Sequence, residues 1–269
     1  LYYLPIWCFP DIQSWNIQIH EYGCKCDYQH GGLGQLPFGY GNVYPGAQIP
    51  FGGIQISPDT DSRFYDAASG YKYNHLTLMG FSLTHLSGTG IPDLGDFLFI
   101  PGTGEMKLEP GTHEDPDQGY RSRYSHDKEW ASPNYYAVEL ADYGVKAEMT
   151  SGVRSGMFRF TYPESDNAFI MIDMNHTLWQ SCEWSNLRMI NDSTITGYKL
   201  VKGWGPERHV YFTATFSKKL TGLRFVQDKK PVIYNTSRFR SSYEAWGKNL
   251  MACIYFDTKA GEEVTVKTA

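Results

Sequence analysis

The sequence predicts an all-β protein, an antiparallel β-sandwich or barrel with few short helices. Three observations predict it. Short β-branched and aromatic runs recur from Phe51 to the end of the chain, separated by Gly, Pro, Asn or Asp at intervals of roughly ten residues, the pattern of an antiparallel sandwich or barrel. The 269 residues include 20 Tyr, 15 Phe, 7 Trp, 27 Gly and 14 Pro, which favour strands joined by tight turns over a helical bundle. Helix signals are few, and only "SSYEAWGKNL" (241–250) suggests a short helix.

In chain order, the first strands expected are "GGIQIS" (52–57), "LMGFSLTH" (78–85), "DFLFI" (96–100) and "YYAVEL" (135–140). "VKAEMT" (145–150), "MFRFTY" (157–162), "AFIMIDM" (168–174) and "TITGYKLV" (194–201) follow. The last are "HVYFTATF" (209–216), "LRFVQ" (223–227), "MACIYF" (251–256) and "EEVTVKT" (262–268). Each run is rich in Val, Ile, Thr, Phe or Tyr, or alternates apolar with polar residues, and each is bounded by turn formers. Residues 1–35 differ: they show little alternation and hold Cys8, Cys24 and Cys26, three of the five cysteines. They read as an atypical segment, from a misjudged start or a reading-frame slip, ahead of a sandwich over 36–269. The end, "GEEVTVKTA", is still strand-like, as if the chain were cut inside or just after a β element.

Charge and motifs exclude several function classes. There are 24 Lys and Arg against 29 Asp and Glu, a net charge of −5 with no basic block, so the footprint of a nucleic-acid binder is missing. No apolar run approaches the ~20 residues of a membrane-spanning helix, and the N-terminus lacks the basic region of a signal peptide. Five cysteines, an odd number, do not make a disulfide framework, and Cys24-Lys-Cys26 is one residue short of a zinc knuckle and has no second pair. P-loop, dinucleotide, His-Glu-x-x-His and Gly-x-Ser-x-Gly patterns are absent. "SPDTDS" (57–62) spaces Asp59 and Asp61 as a calcium loop would, but lacks that loop's Gly and distal Glu, and reads as a polar turn.

The segment 63–96 stands apart. "RFYDAASGYKY" and "FSLTHLSGTGIPDLGD" place Ser-Gly pairs beside aromatic or imidazole groups at strand ends. Short donors and acceptors with an aromatic platform suit a sugar site: Gly88 and Gly90 admit a ligand to the backbone, while Ser87, Thr89, Asp93 and Asp96 supply hydrogen bonds. The same residue types build a Gly-rich turn that satisfies its own backbone, and residue chemistry alone favours that turn. His85 likewise reads as a packed core histidine. The acidic pairs Glu114 with Asp117 and Asp93 with Asp96 read as solvated loops.

Longer stretches carry a resemblance. "YGNVYPGAQIPFGGIQISPDT" (40–60), "ASGYKYNHLTLMGFSLTHLSGTGIPDLGD" (68–96), "FTYPESDNAFIMID" (160–173) and "GYKLVKGWGPERHVYFTATFSK" (197–218) resemble the N-terminal domain of glycoside hydrolase family 92 over about 37–269, which implies a large antiparallel, supersandwich-like β-sandwich. These are calcium-dependent exo-α-mannosidases. The resemblance implies a secreted or periplasmic enzyme trimming mannose from N-glycans with inversion. A following (α/α)6 barrel, with no counterpart in these residues, supplies a Glu acid, an Asp base and the calcium ligands. It implies no catalytic or metal-binding residue within this chain, inactivity of the chain alone, and a mannose-containing glycan and the barrel as partners. Asp66, Ser69, Gly70 and Tyr71 match its "D-x-x-S-G-Y" pattern. His85, Ser87, Gly88, Thr89 and Gly90 match "T-H-L-S-G-T-G", with Asp93 and Asp96 in the acidic tail, all as substrate-binding or loop-shaping residues. Tyr65 replaces the usual Trp, Leu94 an aromatic, and only Pro37, Phe38 and Gly39 echo the family's opening. A free-standing carbohydrate-binding module and a functionless gene fragment are the alternatives.

Overall fold

Two antiparallel sheets face each other across an aromatic core in the computed structural model, which describes residues 42–63, 67–88, 90–233 and 243–269. The strands run β1 (Ala47–Gln48), β2 (Gln55–Asp59), β3 (Thr77–Leu78), β4 (Gly80–Ser82), β5 (Leu98–Thr103), β6 (Ser122–Arg123) and β7 (Glu129–Ser132). β8 (Tyr135–Leu140), β9 (Val145–Ser151), β10 (Gly156–Tyr162), β11 (Ser165–Asp173), β12 (Ser181–Asn191) and β13 (Thr194–Lys202) follow. β14 (Arg208–Phe216), β15 (Gly222–Gln227), β16 (Lys230–Pro231), β17 (Glu244–Gly247), β18 (Leu250–Thr258) and β19 (Glu262–Thr268) complete the order. One sheet is β1-β2-β4-β5-β11-β18-β15-β16 and the other β17-β12-β13-β14-β19-β10-β9-β8-β7; β3 and β6 pair separately.

Alternation decides which face turns inward. In β10, Phe158, Phe160 and Tyr162 are buried while Arg159 and Thr161 are only half-buried, as a period of two requires. The sheets lock through aromatic contacts: Phe99 of β5 lies 5.0 Å from Phe158, and Phe97 lies 4.5 Å from Phe212 of β14. Each such buried ring contributes about 1.5–3 kcal/mol. β11 is buried on both faces from Ala168 onward: Ile170 and Ile172 face the second sheet, while Phe169 and Met171 join an outer cluster with Met79, Ile100 and Tyr120.

The twelve expected strands are present, those at 135–140 and 262–268 with the expected bounds and the others with one or both ends shifted. The run at 78–85 is broken into the end of β3, then β4, then a lone bridge from His85 to Leu94. Two readings need correction. The stretch read as a short helix carries β17 at Glu244–Gly247, because Ala245 and Gly247 face inward against β12 while Trp246 faces out, a strand's period rather than a helix's. β12, the longest strand, was not expected at all: its pairing with β13 slips between Cys182 and Trp184 and again between Met189 and Asn191. Two bulges break the alternation on which strand reading depends. Helical structure among the described residues is confined to 3-10 turns at Pro116–Gln118 and His126–Lys128. Residues 1–35 lie outside the described residues, as do Cys8, Cys24 and Cys26.

Candidate functional site

The site is built from the ends of β2, β4 and β11 and the loop that links β4 to β5. Asp59, the last residue of β2, is fully buried and lies between two imidazoles. His85 Nε2 is 2.8 Å from its Oδ1 and His176 Nε2 is 2.9 Å from its Oδ2. Burial opposes ionisation of this carboxyl, but the charge and hydrogen bonds of His85 and His176 hold it well below the usual carboxylate range. His85 also spends Nδ1 on the Gln55 carbonyl at 2.7 Å and lies 3.1 Å from Ser82 Oγ. Asp59 therefore does not sit in a polar turn: a carboxylate this dry survives only because both oxygens are paired.

A second buried carboxylate, Asp96, anchors the other end of the loop. Lys199 Nζ, on the inward face of β13, lies 3.0 Å from Asp96 Oδ1, and both side chains are fully buried. Arg208 of β14 donates to Asp96 Oδ2, as does Thr84 Oγ1 at 2.8 Å. Burial resists ionisation here too, yet the charges of Lys199 and Arg208 bring Asp96 down to about 2. Arg208 continues to Gln180 Oε1 at 3.1 Å, and Gln180 donates to Asp93. Lys199 also donates to the His176 carbonyl at 2.7 Å, which joins the two carboxylate clusters into one network spanning both sheets. The acidic tail is thus not a pair of solvated loop carboxylates: Asp93 and Asp96 are 8% and 0% exposed. Glu114 and Asp117 are exposed, as expected.

This network holds a loop whose tip stays open. Ser87 and Gly88 are exposed and Gly90 is half-buried. Gly88 and Gly90 take φ of 76° and 69°, in the left-handed region. Nearby, Leu94 at φ 74°, Phe97 at 59° and Trp179 at 74° hold the same conformation without being glycine, a cost of about 1–3 kcal/mol each that the surrounding bonds must offset. Leu94 is fixed by its bridge to His85 and by accepting from the Leu178 N–H at 3.0 Å.

The structure brings most of the expected residues together and separates one. Gly70 packs on Asp59 and His85; a Cβ there would lie 2.0 Å from Asp59 Oδ1, so only glycine lets the backbone approach. Ser69 Oγ donates to the Val43 carbonyl at 3.0 Å, and Tyr44 lies 5.0 Å ring to ring from His85. Tyr71 instead turns away, donating to buried Glu129 at 3.1 Å beside Tyr136. Asp66 and Thr89 lie outside the described residues. Sequence reasoning missed His176, Gln180, Lys199 and Arg208. Lys199 alone carried a signal: it occupies the buried phase of β13 with Ile195, Gly197 and Val201.

Among the described residues, open cavities of about 680 and 720 Å³ leave the loop unlined: neither touches residues 69–71, 85–88, Gly90, Asp93 or Asp96. Asp173, His176, Trp179 and Gln180 line the first. Burial pushes the Asp173 carboxyl above its ordinary value, against the opposing pull of His176, the Asn175 N–H and Lys199. Asp59 is held ionised by hydrogen bonds on both oxygens and Asp96 by the charges of Lys199 and Arg208, so neither carboxyl has a proton to give at neutral pH.

The described residues form an all-β sandwich that presents a polar glycine loop on a buried ionic network. The chain belongs to glycosyl hydrolase family 92: the N-terminal domain model of that family matches residues 29–269. No curated protein matches the chain. Among solved structures, the chain is similar to the family GH92 alpha-mannosidase BT3965 from Bacteroides thetaiotaomicron, with 97% identity and a TM-score of 0.83 over 87% of this chain and 32% of that one. The same mannosidase in complex with mannoimidazole matches equally well, with 31% of its chain covered. The inverting mannosidase BT2199 from Bacteroides thetaiotaomicron VPI-5482 shares the fold at 24% identity and a TM-score of 0.67, over 85% of this chain and 28% of that one. The chain spans about a third of the length of these enzymes.

Proposed function

We propose that this chain forms the substrate-lining sandwich of an exo-acting, inverting α-mannosidase of α-1,2-mannosidase type, working on N-glycan mannose outside the cytoplasm. The observation that carries the reading is the 97% identity to a mannosidase that has also been solved with mannoimidazole. In this reading Ser87, Gly88, Thr89 and Gly90 present short polar groups to mannose hydroxyls. Asp66, Ser69 and Asp93 add further polar groups in the same reading. His85, Asp96 and Gly70 hold the loop in shape, since their polar atoms and space are already taken up inside the protein. Inverting hydrolysis needs one carboxylic acid to protonate the leaving oxygen and one carboxylate to activate water. Asp59 and Asp96, both buried and paired, suit neither role, so the acid, the base and the calcium come from an (α/α)6 barrel of the same polypeptide.

The purified 269-residue chain, assayed with calcium on α-1,2-linked mannobiose, is expected to release no mannose above a boiled control. Turnover would overturn the division of labour. Calorimetry with mannose separates a half-site from a free-standing binding module: saturable binding by the chain alone favours the module.

A further inference from the structure

A third cluster of ionisable groups, one buried and two half-buried, lies beyond β2, outside the ionic network. Asp61, His75 and His113 offer one ligand atom each, all within 4.8 Å of one another. They come from three separate segments: the turn after β2, the approach to β3, and the connection between β5 and β6. Asp61 is 3% exposed. Each histidine engages a threonine hydroxyl through Nδ1, His75 with Thr60 at 3.0 Å and His113 with Thr77 at 2.8 Å. His113 Nε2 is buried without a hydrogen bond among the described residues and faces Asp61 Oδ2 at 3.4 Å. The two rings lie 3.9 Å apart.

We propose that Asp61, His75 and His113 bind a divalent transition-metal ion of the zinc class. Two imidazoles with one carboxylate form the donor set of zinc and its neighbours, which keep a further position for water. Calcium instead takes six to eight oxygens, so this is not a calcium site. The Nδ1 bonds to threonine are the outer contacts that orient ligating histidines and leave Nε2 for the metal. Two cations compete. Arg63, with a side chain 64% exposed, holds Asp61 Oδ2 at 2.6 Å and must release it. Arg121 is buried, donating to the Thr60 carbonyl at 2.6 Å and lying 3.5 Å from His113 Nδ1. A bound ion would tie the three segments together on either side of residues 64–66.

Cobalt(II) chloride, titrated into the whole chain, reports ligation through its visible absorption. One equivalent is expected to bind, with bands that zinc displaces. His113→Gln and His75→Ala should abolish those bands, and Thr77→Val should weaken binding about tenfold or more while leaving every ligand in place. Arg63→Met should tighten binding by freeing Asp61. Circular dichroism checks each fold, and His209→Ala, at an exposed histidine on β14, should change nothing. Absence of one-equivalent binding by the wild-type chain would falsify the proposal. So would bands that survive in a folded His75→Ala/His113→Gln double variant, or that survive in Thr77→Val at full affinity.

Discussion

Lys199 Nζ sits 3.0 Å from Asp96 Oδ1 with neither side chain exposed, which makes the pair a bolt between the two sheets. Removing one partner of a buried pair strands the other charge and typically costs about 3–5 kcal/mol. Asp96→Ala is expected at the upper end. Lys199→Met is expected nearer about 3 kcal/mol, because Arg208 still faces Asp96. In urea unfolding, the double variant should lose less than the sum of the singles by about 1–3 kcal/mol. Simple additivity would mean the two charges do not act as a unit.

Gly70 and Gly88 separate backbone strain from crowding. Both have φ in the left-handed region, at 86° and 76°. A Cβ on Gly88 would meet nothing within 4 Å, whereas one on Gly70 would strike Asp59 Oδ1. Gly88→Ala should therefore cost only the conformational penalty of about 1–2 kcal/mol. Gly70→Ala should cost that and more, because the Asp59–His85 bond must shift as well. Equal losses in thermal unfolding of the two variants would reject this packing argument.

The strands were legible because their inward residues are large and apolar and recur at a period of two, as at Phe158, Phe160 and Tyr162. β12 was not: bulges at Cys182/Trp184 and Met189/Asn191 shift its phase, and its exposed positions include Trp184 and Ile190. β17 was obscured because Glu-Ala-Trp-Gly is too short to reveal a period, and pairing with β12 decides its conformation. The site divides in the same way. The loop at 84–96 announced itself through contiguous Ser, Gly, Thr and Asp. Its supports did not, since their contacts join residues as far apart in the chain as Asp59 and His176, 117 positions, or Asp96 and Arg208, 112 positions. No local pattern encodes such a meeting, and only a lysine on the buried phase of a strand hinted that a counter-charge lay opposite.

Two buried aspartates in this region should respond to pH in opposite directions. Asp96 is held at about 2, below the ordinary value of about 3.9, by Lys199 and Arg208 acting against its burial. Its stabilisation is therefore complete above about pH 4 and is lost as pH falls toward 2, a change of roughly 2–3 kcal/mol. Asp173 is raised by burial, so its contribution is fully present below about pH 4 and is lost as pH rises through its elevated value. Asp173→Asn keeps an acceptor for the Asn175 N–H, which Asp173 Oδ1 now receives at 2.8 Å, and removes the buried charge. It should raise Tm at pH 7, by about 2–4 °C for each kcal/mol recovered, with the advantage shrinking as pH falls. Asp96→Asn should lower Tm at pH 7 and flatten the acid limb between pH 4 and 2. Thermal melts of both variants across that range check the signs, and a destabilised Asp173→Asn at neutral pH would show that His176 and Lys199, not burial, govern that carboxyl.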